Sequence, residues 1–182
     1  TENIFFVKNK YIGAHGAVMS GIEKSISTYV LVMPADDDYN QNIIDKIVNL
    51  AIRDDIDVVS PCRFTNKSRI ENGPFFKFLL VRVVNLSLYY LARVPSKDST
   101  NGFRMFSRKV IENIIITSNK GFTYSIEYLL KSYEKKFKCV DYPANWKERK
   151  TGESRFRIFG WSTNYLRWYF YAWKVFFKNI LN

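Results

Sequence analysis

A continuous apolar run, "TYVLVM" at 28–33, constrains this chain more than any other stretch. It shows no polar alternation, the pattern of a strand covered on both faces. Such a strand needs a helical layer on each side, and its flanks supply them. Upstream, "GAHGAVMSGIEKS" sets Ala14, Ala17, Val18, Gly21 and Ile22 at helical spacing and predicts a helix over about 13–26. Downstream, Ile43, Ile44, Ile47, Val48 and Ala51 form a stripe that predicts a helix over 41–53, with Asn40 or Asp38 available as N-cap. "NIFFV" at 3–7 and "IDVVSP" at 56–61 read as further strands. This β-α-β-α-β alternation predicts an α/β fold with a mostly parallel, three-layer sheet. In such sheets ligands gather beyond the carboxyl ends of the strands.

The second half is less regular. Residues 73–92 are apolar nearly all round, hold Lys77 and Arg82, and contain no acid. "STNGFRMFS" at 99–107 predicts a turn and a strand, 122–136 an amphipathic helix, and "FKCVDYPANW" a strand. A charged loop, "KERKTGESR", then leads into a helical tail over 156–180. In that tail half the residues from 156 to 177 are aromatic, and no acid follows Glu153. Trp161, Tyr165, Trp168, Tyr169, Ala172 and Phe176 fall near one face, the composition of a helix lying in a membrane interface. Packing on the domain's own core is the competing reading. We therefore divide the chain into a domain over 1–155 and a basic, aromatic, membrane-interface helix over 156–182.

Charge narrows the partners. The net charge of +11 predicts an anionic one, whether membrane headgroups, a phosphorylated small molecule or nucleic acid. One histidine and two distant cysteines, Cys62 and Cys139, argue against a structural zinc site. No uncharged stretch approaches the roughly 18 residues of a spanning helix.

The chemistry centres on "MPADDD" at 33–38, at the end of the first strong strand. Carboxylates there can converge on a hard divalent cation, or can be a solvated turn that caps a helix. Spacing alone leaves both open.

"YVLVMPADDDYNQNIIDKI" resembles the strand, acidic motif and helix of the family 2 GT-A glycosyltransferases, whose usual form there is close to "DADLQ". "GAHGAVMSGI", "DSTNGFRMFSRKVI", "GFTYSIEYLL" and "VDYPANWKERKTGESRF" are similar to further blocks of that family, in the same order. The last set points to its polyprenyl-phosphate branch, the dolichyl-phosphate mannose synthase-like enzymes. The family's opening strand and P-x-Y-N-E segment have no counterpart, so a preceding segment is expected.

The resemblance implies a GT-A fold and a metal-dependent, inverting hexosyltransferase. Asp36 matches the second acid of the motif, and Asp38 takes a position that often carries glutamine. These two are the implied ligands of Mg2+ or Mn2+, with Asp37 solvated. Pro34 replaces the first acid. Arg149, Ser154 and Arg155 match the mobile loop over the donor diphosphate. Arg63 and Arg82 match arginines near the acceptor phosphate. Glu127 occupies a position that often holds a carboxylate facing the reaction centre, and would be the base if the acceptor were a hydroxyl. Asp98 and Arg104 are expected to pair structurally, with Gly102 serving the turn between them, and His15 to pack or lie at the surface. The implied partners are a nucleotide-sugar donor, a polyprenyl phosphate or other glycan acceptor and an anionic membrane surface on the cytoplasmic side; nucleic acid is not expected. Two alternatives stay open: a family 2 enzyme acting on a sugar hydroxyl in surface polysaccharide synthesis, and a non-catalytic basic module that binds membranes or nucleic acid.

Overall fold

The computed structural model describes residues 4–35, 37, 39–71, 75–147 and 158–181, without the side chains of 75–77 and 158–162. Helix α1 (Gly13–Lys24) precedes strand β1 (Tyr29–Val32). A 3-10 turn leads into α2 (Ile44–Arg53), then β2 (Val58–Cys62), β3 (Ile70–Glu71) and α3 (Phe75–Tyr90). The chain continues through β4 (Arg104–Ser107), α4 (Arg108–Asn113), α5 (Thr123–Glu134), β5 (Cys139–Pro143), β6 (Trp146–Lys147) and α6 (Ile158–Leu181).

The main sheet runs in the order β1-β4-β2-β5. β2 and β5 pair in parallel, while β4 runs antiparallel to both β1 and β2. Three of the four strands therefore share one direction, and the short β4 opposes them from the middle. β3 and β6 form a separate parallel pair.

Two-residue alternation explains why the apolar runs are continuous. Val30 and Val32 of β1, Val58 of β2 and Phe106 of β4 face one core cluster, with Leu88, Tyr128, Leu129, Trp168 and Ala172. Tyr29 and Leu31, Val59 and Met105 face the other, with Ile47 and Ala51 of α2. Each strand thus feeds two helical layers, and a polar residue at any of these positions would be buried without water.

Residues 4–9 form no strand, and Ile4, Phe5 and Phe6 are exposed. A strand needs a hydrogen-bonding neighbour, and none among the described residues pairs with "NIFFV". Asn40 precedes the 3-10 turn, yet its side chain makes no cap. Gly16 permits a close crossing: a Cβ there would stand 2.2 Å from the carbonyl oxygen of Tyr11.

The tail is helical over Ile158–Leu181. Trp168, Ala172 and Val175 are buried, so the aromatic stripe expected to meet lipid includes residues that pack on the protein's own core. Trp168 Nε1 donates to Ser118 Oγ at 3.0 Å, Tyr171 donates to Glu134, and Lys178 Nζ reaches Glu134 at 3.0 Å. The opposite face exposes Leu166, Phe170, Phe177, Ile180 and Leu181. No described helix is long and apolar enough to cross a membrane.

Candidate functional site

The parallel strands β1, β2 and β5 end at one edge of the sheet, where the antiparallel β4 begins. Pro34, Arg63, Thr100, Asn101, Gly102, Phe122 and Tyr165 line a cleft of about 190 Å³ at this edge. A larger open groove, about 470 Å³, lies along α2 beside Tyr142 and shares none of these residues. The smaller cleft is the candidate site because it sits where strand ends deliver side chains from separate elements.

Its floor is the polar segment 96–104, which has no regular structure until β4 and so needs side-chain partners for its backbone. Asp141 of β5 accepts from Ser96 Oγ at 2.6 Å and from Lys97 N at 2.8 Å. Burial pushes its carboxyl above the ordinary range, and these two donors oppose the rise. Asn85 of α3 accepts from Ser99 N at 2.6 Å, while Asn101 Nδ2 donates to Pro61 O at 2.7 Å. The loop is thereby fixed to β2, β5 and α3 together.

Arg63 follows β2 directly, and its position is dictated by Asp98. The fully buried Asp98 carboxylate accepts from Arg63 N at 3.0 Å, Nε at 2.7 Å and Nη2 at 2.8 Å. This fork-to-fork pairing fixes the plane of the guanidinium and leaves Nη1 without a hydrogen-bond partner among the described residues. The expected Asp98–Arg104 side-chain pair is not formed. Arg104, also fully buried, donates instead to the backbone oxygens of Ser125 at 2.7 Å and Asp98 at 2.8 Å. β4 alternation turns Arg104 toward α5, while the chain reversal delivers the Asp98 carboxylate to β2.

Gly102 serves space more than backbone angle. An added Cβ would lie 3.0 Å from Phe122 Cδ1 and 3.3 Å from Tyr124 Oη. Tyr124 in turn donates to Gly102 O at 3.1 Å.

Glu127 lies away from this cleft, fully buried on α5. Its carboxylate accepts from Thr117 N at 2.7 Å, Thr117 Oγ1 at 2.9 Å, Ser118 N at 2.7 Å and Lys131 Nζ at 2.6 Å. Burial pushes its pKa up, but the donors from Lys131, Ser118 and Thr117 outweigh burial and hold it below the usual carboxylate range. A carboxylate so saturated and so acidic is a poor proton acceptor, and its geometry is that of an anchor for 117–118. His15 is buried edge-on to Tyr124, with ring centroids 6.0 Å apart. Burial lowers its pKa against the opposing charge of Glu127, so it packs as a neutral ring.

Asp36 and Asp38 lie outside the described residues, as do Arg149, Ser154 and Arg155. Asp37 is half-buried rather than solvated: Asn40 Nδ2 donates to both of its oxygens, at 2.8 and 2.9 Å. Asn40 also exchanges hydrogen bonds with the backbone of Asn145, both at 2.9 Å. This clip joins the acidic turn to the corner after β5. Among the described residues no three metal-ligating side chains come together. Arg82 is exposed on α3 beside Leu79 and Val83 and does not line the cleft.

The sequence reading missed Tyr165 as a cleft residue, because helical spacing placed it on the stripe assigned to lipid. It also missed the Asn40–Asn145 clip, whose partners lie 105 positions apart. A local pattern carries no signal for either.

Residues 2–115, more than half of the chain, match the family described as Glycosyl transferase family 2. The chain belongs to glycosyl transferase family 2. The matched span takes in the acidic turn, Arg63, Asp98 and β4, and ends before Glu127 and Tyr165. The chain is similar to a dolichol-phosphate mannosyltransferase of Pyrococcus furiosus. The two are 27% identical over 152 residues, covering 82% of this chain and 42% of that protein. It is also similar to a polyprenol monophosphomannose synthase of Mycolicibacterium smegmatis, 24% identical over 137 residues, covering 74% of this chain and 51% of the relative. The chain spans about half the length, or less, of these curated relatives. The mixed α/β sheet, with most strands sharing one direction, fits the GT-A architecture of the glycosyl transferase family 2 enzymes.

Proposed function

We propose that this protein transfers a sugar from a nucleotide diphosphate donor to a polyprenyl phosphate. The observation that carries the reading is Arg63, a guanidinium locked by a buried carboxylate with one nitrogen left for a ligand, in a cleft at the strand ends. A guanidinium nitrogen held in a fixed plane suits a single charge-assisted hydrogen bond to a phosphate oxygen. The names of both relatives, which refer to dolichol phosphate and to polyprenol, support the same acceptor class.

A phosphate oxygen of the acceptor attacks the anomeric carbon. The bond from that carbon to the donor's diphosphate oxygen breaks, the configuration inverts, and the nucleoside diphosphate departs with the bonding electrons. A phosphate monoester has a second pKa near 6, so the nucleophile is already largely ionised at neutral pH. No base is then required, which accords with a cleft lining of one arginine and neutral residues among those described. An acceptor hydroxyl would require a base, and the saturated Glu127 is unsuited to that part.

Asp36 and Asp38 would hold Mg2+ or Mn2+, whose charge offsets that of the departing diphosphate; Asp37 is engaged by Asn40. Arg149, Ser154 and Arg155 would meet the donor diphosphate. Arg82 stands among exposed Leu79, Leu80 and Val83, a setting suited to anionic headgroups as well as to an acceptor approaching from a membrane. α3 and α6 touch through Ser87 and Tyr169, at 3.1 Å. Their outward leucines and phenylalanines, with Arg82, Arg167 and Lys174, would rest on an anionic cytoplasmic leaflet.

The test is transfer of labelled sugar from UDP-, GDP- and dTDP-sugars to a polyprenyl phosphate, with Mn2+ present. Lipid-linked product with one donor is expected, reduced in Arg63→Ala at acceptor concentrations that suffice for the parent. Absence of product with every donor, from folded full-length protein, would overturn the reading.

A further inference from the structure

Tyr165 enters the cleft from α6, the helix whose aromatic stripe was expected to meet lipid. Its ring packs against the main core cluster while its side chain lines the cleft with Arg63. The residue is half-buried, and its hydroxyl has no hydrogen-bond partner among the described residues, which leaves it available to a group entering the cleft. The other polar side chains lining the cleft are engaged with the protein. Asn101 uses its amide on Pro61 O and its carbonyl oxygen on Phe103 N. Thr100 Oγ1 accepts from Asn85 at 3.2 Å. Among the cleft's donors, Arg63 Nη1 and the Tyr165 hydroxyl come from separate elements, and neither has a hydrogen-bond partner among the described residues.

We propose that Tyr165 is a substrate-binding residue whose hydroxyl donates to the same phosphate group that Arg63 binds, so that the docked helix α6 completes the acceptor site. This rests on the reading of the cleft as the phosphate-acceptor site. Burial raises the phenol pKa well above its ordinary value, against the opposing charge of Arg63, so the group stays protonated and acts as a donor, never as a base. The helix that carries it is pinned to α5 and to 117–118 by Trp168, Tyr171 and Lys178. The same helix turns Leu166 and Phe170 outward. One element thus carries an exposed apolar face and, one residue away in sequence, a wall of the site.

The experiment compares Tyr165→Phe and Arg63→Ala in the full-length protein, with a short-chain polyprenyl phosphate in detergent micelles so that membrane attachment does not enter. Removing one charge-assisted hydrogen bond should raise KM for the lipid phosphate about tenfold. KM for the nucleotide sugar and the melting temperature should stay unchanged, since the lost hydroxyl has no protein partner. An acceptor KM that rises in Arg63→Ala and not in Tyr165→Phe overturns the role of Tyr165 alone. An acceptor KM unchanged in both overturns the reading of the cleft itself. A rise confined to the donor KM in Tyr165→Phe also overturns the proposal, because it assigns the hydroxyl to the other substrate.

Discussion

Replacing Glu127 by glutamine separates an anchoring carboxylate from a catalytic one. One carboxylate oxygen takes three donors, from Thr117 N, Thr117 Oγ1 and Lys131 Nζ; the other takes Ser118 N. In the amide, the side-chain oxygen can keep the three-donor side, and the NH2 group then faces the Ser118 N–H. Leaving that buried donor unpaired costs about 1–3 kcal/mol. Lys131, 19% exposed, loses its countercharge but keeps Ile115 O at 2.6 Å, so that part adds about 1 kcal/mol at most. The sum is roughly 3 kcal/mol, or about 6–12 °C in melting temperature for a domain of this size. Because the folded pKa of Glu127 lies below 4.5, its stabilisation is complete above that pH and fades as pH falls through the folded value. The gap between parent and Glu127→Gln should therefore be widest at neutral pH and narrow in acid. Thermal melts from pH 3 to 7, alongside kcat at a temperature where both proteins are folded, make the measurement. The anchor role requires a lowered melt with kcat largely retained. An unchanged melt with kcat nearly abolished would refute it and restore Glu127 as a base.

Asp98→Asn should destabilise the protein by about 3 kcal/mol, since it strips the countercharge from an arginine only 16% exposed; an unchanged melting temperature would show that the pair is not an anchor. Gly102→Ala should cost about 1 kcal/mol of stability and raise acceptor KM, because Phe122 has to swing away from the new methyl and into the cleft. An unaltered acceptor KM would place the substrate elsewhere. Leu166→Asp and Phe170→Asp should weaken flotation with phosphatidylserine vesicles while leaving the melt intact, as both side chains already face solvent. Vesicle binding that survives both substitutions and 0.5 M salt would move the membrane contact off α6.

The sheet was legible because its apolar runs are local and redundant. "YVLV" and "IDVVSP" are β-branched and lack alternation, and the helices beside them carry clear stripes. The strand expected at 3–7 failed on a non-local condition, the presence of a partner. β4 posed a subtler problem: its sequence reads as a strand, yet nothing in four residues says that it runs against its neighbours. The acidic turn, Arg63 and the "DSTNGFR" segment were each visible as candidates. Their pairing was not, because Asp98 chooses between Arg63 and Arg104 by the direction in which β4 turns its side chains. Tyr165 was legible as an aromatic on a helical face, and invisible as a cleft wall, since spacing fixes which residues share a face and not what that face meets.

The clip between Asn40 and Asn145 also bears on when Asn40 is tied to the far side of the sheet. Closing a ring of 105 residues carries an entropy cost of about 4 kcal/mol beyond a constant term, far more than a pair of side-chain hydrogen bonds returns by itself. The clip can therefore form only after β5 has docked beside β2 and brought the ends together. During synthesis the turn leaves the ribosome early, and it waits for more than a hundred further residues before its fastening arrives. A nascent chain halted before Asn145 can bury much of its sheet and pair Asn40 with Asp37, yet leave Asn40 untied to the corner after β5.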